Sequence, residues 1–457
     1  MNIGERLASF VAETRPEEIS SEARLQARRA VLDTLGVTLA GCAEPGSRIV
    51  ADWVREQGGA AESSVLGQDF RVSATEAALA NGTSGHALDY DDVNMSMRGH
   101  PSVPLLPAAL ALGEKLGSSG RQLVEAFVLG FEVEAKLGRV IGGPHYALGW
   151  HATSTFGSLG AAAACARLLE LDAERAQAAL GIAASLASGL RQNFGTMTKP
   201  LHAGWAARNG VLAASLAQRG FTADAQALDG PNGFLRAASG GADVDPAKAV
   251  DGLGDPWEIV SPGIGVKLYP CCYATHRALD AALELRETRH LDVSSIAKVR
   301  AKVSRGTLMP LIRGRPGSGL QSKFSLEYCL AAALLDGQVV LSTFTDEAVR
   351  RPAAQDLLSR VEAVEDEQEV AFPIGGFAEI AVVTGEGEEY AVRVERPKGD
   401  PRRPLTWDEL AAKFRDCAAA VLEPAGIEEA IAAIDGLEDL PEVAQLAAAL
   451  AGAAVSS

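Results

Sequence analysis

Positive charge is scarce in this chain. Its 457 residues hold 42 Lys and Arg against 59 Asp and Glu, a net charge of -17 with a pI near 5.0. That balance excludes a nucleic-acid surface or an anionic-membrane surface, and no basic run or interleaved aromatic stripe restores one. Aromatic residues make up only 5% of the chain, and there are just 7 histidines, so any cluster of them is informative. The 6 cysteines form no CxxC and no Cys/His spacing of the zinc type. They read as small buried hydrophobes in a reducing compartment, and no metal is expected on them. Long apolar runs are missing as well. The uncharged stretches 152–164 and 176–190 are rich in Ala, Ser and Gly and too short to span a bilayer. The N-terminus has no apolar core of signal-peptide length, so a cytoplasmic protein is expected. The Walker loop, GxSxG, HExxH and EF-hand signatures are absent. Gly263 and Gly265 sit in GIGVKL without the rest of a dinucleotide fingerprint.

What the chain does have is alanine and length. It is too long for one hydrophobic core and suits two or three domains. Blocks such as GAAAAC and AALGIAASLA favour closely packed helices over sheets. Ser20 or Ser21 caps a helix carrying Leu25, Leu32, Leu35 and Leu39 and ending at Gly41. Further helices are expected near 74–80, 105–116, 119–138, 157–170, 173–190 and 203–218, with no strand in the first ~260 residues. After Pro262 the pattern changes. Lys298, Arg300 and Lys302 alternate with Val299, Ala301 and Val303, the period of a half-buried strand. Phe377–Thr384 and Glu389–Glu395 flank GEGE as a hairpin, and helices are expected near 325–335 and 345–360. Pro397, Pro401 and Pro404 mark a boundary, and Thr406 with Glu409 forms a capping box for a final helix. The expected fold is mainly α with a smaller α+β domain. An all-helical domain is built from 1–262 plus 397–457, and the α+β domain spans 263–396.

Titratable side chains concentrate in the loops. The stretch from Asn81 to Pro104 carries His86, Asp89, Asp91, Asp92, Arg98 and His100 within fifteen residues. Its glycines and prolines argue against one continuous helix. Four other Gly/Pro-punctuated segments are similar in style. They hold His151; then Arg191, Lys199 and His202; then Lys267, Cys272, His276 and Arg277; and last Lys323 and Tyr328. A single acidic loop or a lone histidine has an ordinary reading, as a solvated turn or a satisfied structural group. Five of the seven histidines falling in these five segments favours one shared cationic pocket instead. Several Lys, Arg and His with few nucleophiles suit a small anionic carboxylate substrate. Removing a proton from a carbon beside a carboxylate builds charge on a group already anionic. Cationic donors lower that barrier, and a neutral His or a carboxylate serves as base.

Four motifs carry a resemblance: NGTSGHALDYDD…HPSVPLLPAALALGE, GTMTKPLHAGWAARNG, KLYPCCYATHRALDA and KFSLEYCLAAALLDG. Occurring in order over most of the chain, they resemble the MmgE/PrpD family, which includes 2-methylcitrate dehydratase, cis-aconitate decarboxylase and iminodisuccinate epimerase. The resemblance implies a helical domain built from both termini, an α+β lid, a cofactor-free site between them, and a homodimer. It implies Asp89, His100, His151, Lys199 and Lys267 as the core of the pocket. Lys199 and Lys267 would neutralise carboxylates, His100 and His151 would be the acid/base pair, and Asp89 would orient one of them or the substrate. Arg98, Arg191, His202, Cys272, His276 and Tyr328 are the surrounding substrate-binding candidates. Two positions depart from the decarboxylase pattern. Val93 stands where those enzymes carry a hydroxyl residue, and Cys272 where they carry a His. The expected activity is a cofactor-independent lyase on a di- or tricarboxylate, with 2-methylcitrate dehydration the nearest named reaction. Epimerisation, decarboxylation and non-catalytic carboxylate binding are the alternatives.

Overall fold

The computed structural model of the chain describes residues 2–312, 314–367 and 376–451. The chain divides into two compact units, Met1–Ile264 with Thr406–Ser457, and Gly265–Leu405. The division thus falls at 264/265, and again at 405/406, past the Pro397–Pro404 segment.

The first unit is a packed set of helices: α1 (Ile3–Glu13), α2 (Ser21–Gly41), α3 (Pro45–Gln57), α4 (Ala74–His86), α5 (Ser102–Leu116), α6 (Gly120–Ala147), α7 (Ala152–Leu168), α8 (Ala173–Leu186) and α9 (Thr198–Gln218). Their starts follow local chemistry. Ser20 Oγ accepts from the Ala23 N–H at 3.1 Å to begin α2, and Ser119 with Gln122 forms a capping box for α6. The C-terminal helices, Trp407–Ala418, Pro424–Asp435 and Val443–Ala449, belong to this unit, and the first of them packs on α2. The capping box of Thr406 and Glu409 is present.

Several helices run further than their sequence punctuation suggests. α4 continues through Gly82 and Gly85 to His86, and α6 continues through Gly138 and the Gly142–Gly143–Pro144 run. These glycines are points of close approach instead of breaks. A Cβ on Gly82 would lie 2.8 Å from the Cα of Gly204 in α9, and one on Gly138 would lie 2.3 Å from the Cα of Met97. Likewise α9 starts at Thr198 with Pro200 in its first turn, where proline is tolerated, so Lys199 and His202 are helix-borne. The expectation of no early strand needs correction. β1 (Ser63–Ser64) and β2 (Arg71–Val72) form a two-residue antiparallel ladder, too short to leave an alternating pattern.

The second unit holds a four-stranded sheet in the order β4-β3-β5-β6, made of β3 (Ile296–Ser304), β4 (Val361–Asp366), β5 (Ala378–Thr384) and β6 (Glu389–Val394). β3 pairs parallel with β4 and antiparallel with β5, and β5 with β6 is the GEGE hairpin. Val299, Ala301 and Val303 are buried as the alternation requires, against helices His276–Arg289 and Leu326–Asp336. β4 has only one buried residue, Val361, so it carries no clear apolar alternation and was not expected. The helix expected over 345–360 is two, Asp346–Arg350 and Pro352–Leu358. Arg351 precedes a proline and takes extended backbone between them. No helix among the described residues is long and apolar enough to cross a membrane.

Candidate active site

Three elements of the first unit bring the ionisable groups together. The segment after α4 is held in a tight, unusual path. Asp89 (φ 53°) and Arg98 (φ 55°) both adopt the left-handed conformation, which for arginine is uncommon and carries strain. Asn94 closes the loop. Its N–H donates to the Gly99 carbonyl at 3.0 Å, its Oδ1 accepts from the Met97 N–H at 3.1 Å, and its Nδ2 donates to the Gly263 carbonyl at 3.0 Å. Gly99 lies against the start of α7, where a Cβ would come 2.9 Å from the Thr153 nitrogen. The next residue, His100, donates its N–H to Thr153 Oγ1 at 3.1 Å. His151 is the N-cap residue of α7, and α9 supplies Lys199 and His202.

The side chains form a connected cluster. Lys199 Nζ makes a short ion pair with Asp89 Oδ1, and His100 Nε2 lies 3.7 Å from the same oxygen. His100 Nδ1 lies 3.0 Å from Asp91 Oδ2, which also bonds His86 Nδ1 at 2.8 Å. The His86 ring stacks on His151 with centroids 5.6 Å apart, and His151 Nδ1 meets His202 Nδ1 at 3.0 Å. One of that last pair must donate and the other accept. Phe194 closes the group, with its ring 5.0 Å from His151 and the Lys199 ammonium 5.1 Å above it.

Burial sets the protonation states. It pushes His86 down to about 3 despite its Asp91 partner, and it holds His151 well below the usual imidazole range, helped by His86 and Lys199. His202 falls to about 4 through burial and the Lys199 charge. These three rings are therefore neutral at pH 7. For Asp91 burial works the other way, but His100 and His86 outweigh it and keep the carboxylate ionised. Asp92 is pushed up to about 8 by burial and by the charge of Asp33, although Ser102 donates to it through both N–H and hydroxyl. The site thus combines a buried ammonium, two anionic carboxylates and neutral imidazoles. Ligand-type atoms of His86, Asp89, Asp91 and His100 all lie within 4.8 Å of one another, a spacing a divalent ion could bridge. The Lys199 ammonium on Asp89, however, already supplies compensating positive charge at that point.

The remaining candidates are placed differently. Arg98 lies along the last turns of α6, next to Gly142 and Gly143. Arg191 stacks on the Tyr146 ring at 3.7 Å and donates to the Tyr146 carbonyl at 2.7 Å. Lys267, Cys272, His276 and Tyr328 belong to the second unit. Lys267 is buried, and the Cys272 N–H donates to the Lys323 carbonyl at 2.9 Å. His276 is fully buried, flanked by the Tyr269 and Tyr273 rings. Tyr328 sits in that unit's hydrophobic core with its hydroxyl donating to the Thr343 carbonyl at 2.6 Å. Three residues that the sequence left without a role stand out around the cluster. His86 and Asp91 lie in the acidic stretch but could not be told from Asp89 and Asp92 by spacing. Lys413, in helix Trp407–Ala418, pairs with Asp33 at 2.6 Å and donates to the Tyr90 carbonyl at 2.8 Å. A single lysine on a C-terminal helix gives no such signal.

A mainly helical unit thus carries this cluster and is followed by a small mixed-sheet unit. The MmgE/PrpD N-terminal domain matches residues 5–247 and the MmgE/PrpD C-terminal domain matches residues 269–439, so the chain belongs to the MmgE/PrpD family. The cis-aconitate decarboxylase of Homo sapiens is 30% identical, covering 99% of this chain and 95% of its own length. That of Mus musculus is 31% identical over 94% of this chain and 89% of its own. The cis-aconitate decarboxylase of Aspergillus terreus is 28% identical over 94% of this chain and 92% of its own.

Proposed function

We propose that the chain is a lyase of small di- or tricarboxylates that moves a proton at a carbon next to a carboxylate, without a metal or organic cofactor. Loss of water, as from 2-methylcitrate, is the form of the reaction we favour. The observation that carries this reading is the buried Lys199 ammonium set among neutral imidazoles and balanced by Asp89. A substrate carboxylate bound at Lys199 has its developing charge stabilised where water cannot screen it. The proton on the neighbouring carbon passes to His100 Nε2, and the C–H electron pair becomes the new C=C bond. The hydroxyl on the adjacent carbon departs with its own bonding pair and takes up the proton that His100 has gathered, leaving as water, while the neutral His151 steadies it by a hydrogen bond. With His202 donating across the 3.0 Å contact, His151 keeps its proton on Nε2 for this step. Asp89 holds Lys199 and faces His100.

Decarboxylation is the second reading, favoured by the names of the relatives. The C–CO2 bonding pair would stay on the substrate as carbon dioxide departs, its charge stabilised by the Lys199 ammonium, until a proton carried by His100 adds to carbon. Val93 and Cys272, the two departures from the decarboxylase pattern, favour the first reading.

The test is proton NMR in D2O with 2-methylcitrate, citrate, cis-aconitate, malate and iminodisuccinate. New alkene signals from 2-methylcitrate or citrate support dehydration, and loss of carbon dioxide from cis-aconitate supports the second reading. Deuterium uptake without elimination moves the assignment to epimerase. Silence from folded protein removes all the named substrates. Lys199→Ala should lower turnover by at least about 10²-fold while leaving circular dichroism unchanged; near-normal activity would take Lys199 out of the site. Turnover should also survive dialysis against EDTA. Activity lost on chelation and restored by one divalent ion would give the four-residue cluster to a metal.

A further inference from the structure

Asp91 has no part in the proton transfers above, yet it is fully buried and touches two rings of the cluster. We propose that Asp91 is the positioning residue of the site, holding His86 and His100 as their Nδ1–H tautomers so that His100 presents a bare Nε2 as the base. This rests on the proton-abstraction reading, and it adds which nitrogen acts and what fixes it.

Donor and acceptor counts fix the tautomer. An ionised carboxylate only accepts, so a ring nitrogen held against it carries the hydrogen. Asp91 Oδ2 is 2.8 Å from His86 Nδ1 and 3.0 Å from His100 Nδ1. His86 Nδ1 is hydrogen-bonded to Asp91, whereas His100 Nδ1 approaches it off the hydrogen-bond axis. Asp91 at 3.0 Å is nonetheless closer to His100 Nδ1 than Asp89 at 3.7 Å is to Nε2, so charge proximity places the proton of both rings on Nδ1, and in the neutral form both leave Nε2 with a lone pair. For His86 that nitrogen is sealed in the interior without a hydrogen-bond partner among the described residues. For His100 it faces Asp89 at 3.7 Å, beside the Lys199 ammonium, and 13% of its side chain remains exposed. Only the second ring can meet a ligand, so the two histidines divide into one base and one brace. The brace has its own support. The His86 ring makes an edge contact with His100 at 4.6 Å and stacks on His151 at 5.6 Å, so it holds the same Asp91 oxygen that His100 meets.

The tautomer can be read without any substrate. The full chain, labelled with ¹⁵N-histidine, is examined by long-range ¹H–¹⁵N correlation near pH 8; with 7 histidines, His100→Gln and His86→Gln suffice to assign the two signals. The expected wild-type pattern is Nδ1–H for both. Asp91→Asn, whose amide can present either an oxygen or an N–H, should shift His100 toward Nε2–H. It should also lower kcat by about 10²–10⁴-fold with KM changed less than about threefold. An Nε2–H form of His100 in the wild-type protein overturns the proposal, as does an Asp91→Asn protein with unchanged spectrum and kcat. If that variant does not fold, the wild-type spectrum alone decides. Nδ1–H histidines in a protein silent toward every carboxylate would uphold the positioning role and sink the reaction. Turnover by a protein whose His100 is Nε2–H would do the reverse.

Discussion

Adjacent carboxylates can be driven in opposite directions, and Asp91 and Asp92 show how. Asp91 faces two imidazoles and stays ionised. Asp92 faces away, toward Ser102 and the charge of Asp33, and is pushed up to about 8. A carboxyl held above its ordinary value keeps its proton in the fold, while the unfolded chain releases it above about pH 4. Asp92 therefore penalises the fold progressively as pH rises from about 4 to about 8. Asp92→Asn keeps an acceptor for Ser102 and removes that penalty. Its apparent Tm should match wild type near pH 4 and exceed it near pH 8 by about 2–4 °C or more, measured by differential scanning fluorimetry across that range. An equal or lower Tm at pH 8 would show that Asp92 is ionised and needed at that position. At this scale the sequence was readable only in part. The residue types needed for carboxylate chemistry were visible as a set in Asn81–Pro104. Nothing in a linear spacing separates an Asp that braces a histidine from an Asp that caps a helix.

Helix contacts decide where those side chains stand. α4, which delivers the Asp89 loop, packs on α9, which delivers Lys199, and their backbones touch at Gly82 and Gly204. A Cβ on Gly204 would come 2.2 Å from the Leu79 carbonyl oxygen and 2.3 Å from Thr83 Oγ1. Gly204→Ala should cost about 3 kcal/mol, at the upper end for overpacking, because backbone and not a flexible side chain must yield. Splaying α9 from α4 also lengthens the Lys199–Asp89 pair, so turnover should fall more than the folded fraction does. Urea denaturation together with kcat on the same preparation separates the two effects, and wild-type values for both would refute the close-contact account. The same glycines explain which elements were legible. Caps at Ser20, Ser119 and Thr406 announce helix starts because the signal is local, and the period-2 run at 298–303 announces β3 for the same reason. The continuation of α4 and α6 through glycine was hidden, since the favourable term is a neighbour distant in sequence. β4, with one buried residue, was hidden because its place comes from pairing with β3.

The whole chain closes its first unit by bringing the C-terminal segment back to the N-terminal helices. The sequence joins 397–457 to the N-terminal helices, but gives no purpose for the return. Lys413 reaches from helix Trp407–Ala418 to Asp33 of α2 at 2.6 Å and to the Tyr90 carbonyl at 2.8 Å, one residue from Asp89, with its ammonium 3.8 Å above the Tyr90 ring. Both ends of the ion pair are buried, with side-chain exposures of 4% and 0%, so removing one partner strands a charge instead of merely losing a contact. Lys413→Met keeps most of the side-chain volume and should destabilise the protein by about 3–5 kcal/mol in urea melts. The double variant with Asp33→Asn, which removes the stranded charge, should regain a substantial part of that loss. If the double variant is no more stable than Lys413→Met alone, the lysine acts through the Tyr90 carbonyl. The tail would then brace the Asp89 loop directly instead of balancing a buried acid.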